Sequence, residues 1–138
     1  ESSLVSCVHV DVEEIDKINI LQATFRAMER SILKWPIPDH ILIDGNKLPP
    51  NLPSPATAII KGDTKSASIA AASIIAKVTR DQLMADLSLE YPGYGWEKNA
   101  GYGTKMHQLG LLNNGVTPHH RRSFKPIHNM LYSASPRK

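Results

Sequence analysis

The chain has 138 residues, 41% hydrophobic and 21% charged, which fits one compact domain and excludes disordered or collagen-like sequence. Its longest apolar run, residues 69–76, is interrupted by Ser73 and closed by Lys77, far short of the ~20 apolar residues of a membrane span, so no membrane partner is expected. The net charge of +3 is unevenly spread: residues 1–60 carry eight acids against five bases, residues 61–138 eleven bases against five acids, and no acid follows Glu97. A polyanion is the natural partner of that C-terminal half, with a merely solvated basic tail as the plainer alternative. Cys7 stands alone, so neither an intrachain disulfide nor a cysteine-based zinc site is expected, and a reducing, cytoplasmic setting follows. The opening Glu1-Ser2-Ser3-Leu4 has neither a basic n-region nor an apolar h-region, so a secretory signal is not expected.

Leu4, Ser6, Val8, Val10 and Val12 alternate with Val5, Cys7, His9 and Asp11, which predicts a strand. Ile15, Ile18, Leu21, Phe25, Met28 and Ile32 then recur at three- and four-residue steps, with Glu13 and Glu14 suited to a helix N-terminus. They predict one helix from about residue 13 to 34, stopped by Trp35-Pro36-Ile37-Pro38. His40-Ile41-Leu42-Ile43, ended by Asp44-Gly45, predicts a second strand, and strand, helix, strand implies a parallel pair with a right-handed crossover. A proline-rich loop over 49–55 separates this from a third strand over 56–61, closed by Gly62-Asp63-Thr64. An alanine-rich helix follows over about 66–90, ended by Tyr91-Pro92-Gly93. Four glycines mark 93–103 as a loop. A helix of about ten residues starts at Thr104 and stops near Asn113-Asn114-Gly115. The basic stretch 117–128 precedes a short, frayed tail. The series is α/β.

Asp44 follows three apolar residues expected to be buried in a sheet, so its carboxylate emerges at a strand's carboxyl end, where open α/β folds bind ligands. An Asp that only caps the Asp44-Gly45 turn is the alternative. Asp81 lies on the Ile74, Val78, Asp81, Ala85 stripe of the long helix. An acid on an apolar stripe normally neutralises, pairs or binds a cation; pairing with Lys77 in the poorer i, i+4 orientation is the alternative. If the two acids converge, their hard oxygens suit Mg²⁺ or Mn²⁺. Lys61 and the helix start at 64–66 are placed either to receive a phosphate or to serve as turn and cap. Tyr102, between two glycines, either exposes its ring for stacking on a sugar or base or anchors the loop in the core. Arg121 and Arg122 suit phosphate contacts better than His119 and His120 suit a metal, since adjacent histidines point different ways. No Gly-x-Ser-x-Gly elbow, P-loop or Gly-x-Gly-x-x-Gly fingerprint is present.

Six segments in order carry a resemblance: Glu14-Ile15-Asp16-Lys17-Ile18-Asn19-Ile20-Leu21; Leu42-Ile43-Asp44-Gly45-Asn46; Lys61-Gly62-Asp63; Ser68-Ile69-Ala70-Ala71-Ala72-Ser73-Ile74-Ile75-Ala76-Lys77-Val78-Thr79-Arg80-Asp81; Gly101-Tyr102-Gly103-Thr104; and His120-Arg121-Arg122-Ser123-Phe124. Together they resemble type 2 ribonuclease H, the bacterial ribonuclease HII family, over nearly the whole chain. The resemblance implies an RNase H-like mixed sheet flanked by helices, with a C-terminal helical extension. It also implies an endonuclease that cuts the RNA strand of RNA–DNA hybrids, including single ribonucleotides in DNA, by two-metal catalysis with Mg²⁺ or Mn²⁺. Asp44 and Asp81 match two of the family's four catalytic, metal-binding acids. Tyr102 matches the tyrosine that recognises the nucleotide at the junction. Lys61, Arg121, Arg122 and Ser123 are expected on the nucleic-acid face.

The chain departs from the family in two places. The Asp-Glu-x-Gly-Arg-Gly motif of the opening strand is not in these 138 residues. On the resemblance, the N-terminal strands of the fold and two acids are then missing, the chain alone is inactive, and its unpaired strand edges favour self-association. Ala100 stands where many members carry a lysine. Residues 1–115 are read as a partial catalytic domain and 116–138 as a basic segment packing on it. A basic nucleic-acid-binding module that does not cut is the rival reading.

Overall fold

The computed structural model describes residues 3–132. The expected tail, with Arg137 and Lys138, falls outside them. The elements are α1 (Val12–Ile18), α2 (Ile20–Ile32), β1 (Ile41–Asp44), β2 (Ala56–Ile59), a 3-10 turn (Gly62–Thr64), α3 (Ala67–Glu90), α4 (Trp96–Asn99), α5 (Lys105–Asn114) and α6 (Lys125–Tyr132). The α/β class predicted from sequence is what forms. The backbone packs as two units: residues 3–11 with Ile20–Val78, and Val12–Asn19 with the residues from Thr79 onward.

In the first unit, β1 and β2 form a parallel pair with Ile41 opposite Ala56 and Asp44 opposite Ile59. The proline-rich loop joins them, and Ile41 N–H to the Pro55 carbonyl (2.9 Å) and Gly45 N–H to the Ile59 carbonyl (3.0 Å) close the two ends. The sheet of the described residues is therefore two-stranded and parallel, not the mixed sheet expected. Residues 3–11 form no strand, so the expected pair across a helical crossover does not exist. Alternating side chains can favour an extended chain, but a strand needs a neighbour for its N–H and C=O groups. The Ser6 carbonyl instead accepts the Ser31 hydroxyl at 3.1 Å.

The long amphipathic helix predicted over 13–34 is broken at Asn19, whose φ of 70° is left-handed. Asn tolerates that conformation better than most residues, and one such residue ends a helix without disturbing the apolar spacing around it. The stop at Trp35-Pro36 holds, since α2 ends at Ile32.

Burial corrects two further expectations. Ile41 and Ile43 are buried, but Leu42 is 42% exposed, so β1 is covered on one face only. On α3, Ile74 and Val78 are 63% and 60% exposed, so the stripe read as apolar and inward is not covered at these positions. Ile69 and Met84 are the buried apolar residues of that helix. An apolar stripe is buried only where another element lies against it, and periodicity does not say where that is.

The second unit has a core of Met84, Tyr94, Trp96, Leu111 and Ile127, flanked by Leu87, Tyr91, Ala100 and Val116. Trp96–Asn99, within the glycine-rich loop, form the short α4, which the glycine count concealed. Thr104 caps α5 by accepting His107 N–H at 3.3 Å, and Gly115 (φ 78°) ends it, as predicted. Gly110 on α5 packs against backbone: a Cβ there would stand 2.5 Å from the Gly93 carbonyl oxygen and 2.8 Å from Tyr94 Cα. Gly110→Ala is expected to destabilise the protein by about 1–3 kcal/mol, measured as a lowered urea midpoint.

Candidate functional site

In the first unit the candidate residues meet at the carboxyl end of the sheet. Asp44 is exposed, and its Oδ1 accepts the Gly62 N–H at 2.8 Å. That contact needs the unusual turn after β2. Lys61 adopts a left-handed φ of 53°, which turns the following N–H toward β1. Gly62 is buried, and a Cβ on it would lie 2.7 Å from Ile69 Cδ1 and 3.3 Å from Asp44 Oδ1, so glycine lets backbone and carboxylate come together. Asp44 thus ties the end of β1 to the chain beyond β2.

Lys61 has a backbone task as well. Its carbonyl accepts the Thr64 N–H at 3.2 Å and the Thr64 hydroxyl at 2.8 Å. Ser66 Oγ accepts the Ile69 N–H at 3.4 Å at the start of α3. The turn-and-cap alternative accounts for these atoms, while the Lys61 side chain is exposed.

Asp44 fits a hard divalent cation as one ligand: a carboxylate at a strand end, with Oδ1 held by a backbone donor and the group open to solvent. Among the described residues, however, no three His, Cys, Asp or Glu side chains gather where they could hold a metal ion. Asp44 is thus a donor in position rather than a closed coordination set. Asp81, on α3 in the second unit, is half-buried.

The second unit holds Tyr102 and the basic segment. The Tyr102 ring is 71% exposed, so it is not the buried loop anchor of the alternative reading. Its backbone is fixed: the N–H donates to the Asn99 carbonyl (2.8 Å), and the carbonyl accepts the Thr104 N–H (2.8 Å). Ala100 just before it is left-handed (φ 48°), and its carbonyl accepts Arg80 Nη2 from α3 at 3.1 Å.

Asp16 on α1 is the residue the sequence reading passed over. Its Oδ2 accepts the Arg122 N–H at 2.8 Å, and its Oδ1 accepts both the Ser123 N–H at 3.0 Å and the Ser123 hydroxyl. Partial burial works against its ionisation. The bonds from the Ser123 hydroxyl, the Ser123 N–H and the Arg122 N–H, with the nearby Arg121 charge, nonetheless hold it below the usual carboxylate range. The carboxylate therefore pins the chain that carries the arginines. Ser123 is committed to Asp16, Arg121 lies over the Phe124 ring at 5.1 Å, and Arg122 is exposed. His119 packs edge-on against Tyr91, with ring centroids 5.1 Å apart, and His120 is buried against His107.

The family model described as Ribonuclease HII matches residues 2–127. A relative from Ruegeria pomeroyi named Ribonuclease HII is 60% identical over 129 residues, covering 93% of this chain and 55% of its own length. One of the same name from Cereibacter sphaeroides (strain ATCC 17025 / ATH 2.4.3) is 58% identical over 129 residues, 93% of this chain and 61% of its own. A third, from Roseobacter denitrificans, is 53% identical over 132 residues, 95% and 67% respectively. The chain thus spans between about half and two thirds of the length of these curated relatives.

Proposed function

This chain belongs to the ribonuclease HII family, and on that premise we propose that it is part of an RNase H-like endonuclease acting on the RNA strand of RNA–DNA hybrids, including single ribonucleotides in DNA. The observation that carries the reading is Tyr102: an exposed aromatic ring on a backbone fixed at both its N–H and its carbonyl, in the unit that also carries Arg121 and Arg122. An exposed ring on such a backbone can stack on a base or sugar while cations hold the phosphates.

In this reading Asp44 and Asp81 are acids of the catalytic centre and ligands for Mg²⁺ or Mn²⁺. The ions, when bound, supply Lewis acidity for activating water and for the departing oxygen. Gly62 orients Asp44 through its N–H. Lys61, Arg121 and Arg122 contact phosphates, and Ser123 acts through its bond to Asp16, which sets the direction of the two arginines. Residues 1–115 belong to the catalytic domain and 116–138 form the basic segment on it. In this reading the 138 residues alone do not assemble a two-metal centre. Exposed Leu42, Ile74 and Val78 favour self-association of the isolated chain. No helix among the described residues is long and apolar enough to cross a membrane, and a cytoplasmic location is part of the proposal.

Fluorescence anisotropy with an RNA–DNA hybrid, a DNA duplex carrying one ribonucleotide and the all-DNA duplex tests the reading. The ribose-containing ligands are expected to bind more tightly, and Tyr102→Ala to lower their affinity about tenfold, in line with ~1–3 kcal/mol per stacked base. Equal affinity of parent and variant would overturn the role given to Tyr102. The rival is a binding module that does not cut, which a basic segment with an exposed Arg122 would serve equally. It predicts binding without metal-dependent cleavage even in a protein of the relatives' full length.

A further inference from the structure

Tyr102 presents a physical problem. Its ring projects into solvent, and Gly101 (φ 84°) and Gly103 on either side supply almost no conformational restraint of their own. Whatever orders this residue must act on its backbone. One such restraint comes from the core: His107 Nδ1 lies 3.0 Å from the Tyr102 carbonyl oxygen.

The proton arrangement behind that contact is determined by groups that have no choice of role. A carbonyl only accepts, so His107 Nδ1 carries the proton that reaches Tyr102. The Trp96 indole N–H only donates, and it points at His107 Nε2 at 3.2 Å, so that nitrogen keeps its lone pair. At the far end, the Thr117 backbone N–H donates to His120 Nδ1 at 3.1 Å, which leaves the His120 proton on Nε2. His120 Nε2 is 3.0 Å from His107 Nε2, so it donates there, sharing that nitrogen's single lone pair with the Trp96 N–H. A single directed chain results, from Thr117 through His120 and His107 to the Tyr102 carbonyl. Both imidazoles are buried, at 8% and 6% exposure.

We infer that His107 and His120 are positioning residues for Tyr102: the buried pair, locked in one tautomeric state by Trp96 and Thr117, holds the Tyr102 carbonyl and so orders an exposed ring that its glycine neighbours leave free. The consequence for nucleic acid rests on the stacking role proposed above for Tyr102. The ring is ordered before the ligand arrives, so less conformational freedom is lost on binding. Asn99 completes the clamp from the other side. Its carbonyl takes the Tyr102 N–H (2.8 Å), its Oδ1 takes the Gly101 N–H (2.9 Å), and its Nδ2 donates to the Tyr94 carbonyl (2.8 Å).

Long-range ¹H–¹⁵N spectra of the unmodified chain test the lock directly, with no nucleic acid present. The expected result is His107 protonated at Nδ1 and His120 at Nε2 near neutral pH; the opposite tautomer at His107 overturns the inference. His107→Leu removes the donor, and is expected to speed amide exchange at Tyr102 and Thr104 at least tenfold and to lower affinity for the ribonucleotide-bearing duplex about as much as Tyr102→Ala does, roughly tenfold. The double variant is expected to lose no more than either single one. His107→Asn, whose Nδ2 takes the place of the ring Nδ1–H, is expected to restore both readouts to within about twofold. Failure of Asn to rescue where Leu disrupts assigns His107 a packing role only. If Tyr102→Ala is itself silent in binding, the stacking role falls. Positioning is then decided by exchange alone: unchanged protection at Tyr102 in His107→Leu overturns it, and lost protection restored by Asn supports it.

Discussion

Asp44→Asn, in a protein of the relatives' full length, is expected to reduce divalent-metal-dependent cutting of an RNA–DNA hybrid by roughly 10²–10³-fold or more, with hybrid affinity nearly unchanged. The geometry makes this substitution clean. Asn keeps the shape of Asp and presents an oxygen where Oδ1 accepts the Gly62 N–H, so the turn that joins the end of β1 to the chain beyond β2 stays closed. What is lost is the negative charge a hard cation requires. Asp44→Ala would be a poorer test, because it also orphans the N–H of buried Gly62, a defect of about 1–3 kcal/mol that mixes folding with chemistry. Single-turnover cleavage measures the effect, and anisotropy under non-cleaving conditions with Ca²⁺ measures binding. Full cutting by the Asn variant would remove Asp44 from the centre. Loss of binding in step with cutting would make Asp44 a binding residue instead.

The reasons why parts of this fold and site were readable are local. β1, β2 and both ends of α5 are marked by residues whose own chemistry sets the backbone: Asp44-Gly45, the prolines of 49–55, Thr104 as a cap, Gly115 as a stop. The place of Asp44 was legible for the same reason, since a strand end defines where its side chain emerges, whereas for Tyr102 an exposed ring and a buried anchor both stayed open and only the fold exposes it. The failures all depend on a distant partner. Residues 3–11 have the alternation of a strand and no described strand beside them. Leu42, Ile74 and Val78 have an inward pattern but stay exposed among the described residues. Asp16 lies more than a hundred residues from Ser123 in sequence, and its contact is made by backbone N–H groups that no motif displays. His120 was weighed only as a metal ligand and His107 was not singled out at all, because the bond between their rings exists only once α5 and the following loop pack around Trp96.

Acidification from pH 7 to about 4 is expected to cost the folded protein on the order of 2 kcal/mol through His120 alone. Burial, reinforced by the neighbouring His107 and His119, brings this imidazole down to about 4 from 6.5. The Thr117 backbone hydrogen bond acts the other way, as a smaller effect than burial. Between those two pH values the unfolded chain holds the proton and the folded chain does not, so stability falls as pH is lowered through 6.5 toward 4. For this group it is level above and below that window. Asp16 acts in a different range: its lowered value makes its contribution fully present above 3.8 and lost only as pH falls further. Urea midpoints measured at intervals between pH 7 and 4 are therefore expected to decline before Asp16 titrates. His120→Phe keeps an aromatic ring beside Tyr94 and Trp96, and is expected to flatten the decline while lowering the midpoint at pH 7 through the lost bond to His107. An equally steep decline in His120→Phe would place the acid sensitivity elsewhere. A parent midpoint that does not move between pH 7 and 4.5 would mean that the folded protein accommodates the charge, which the buried ring pair at 3.0 Å argues against.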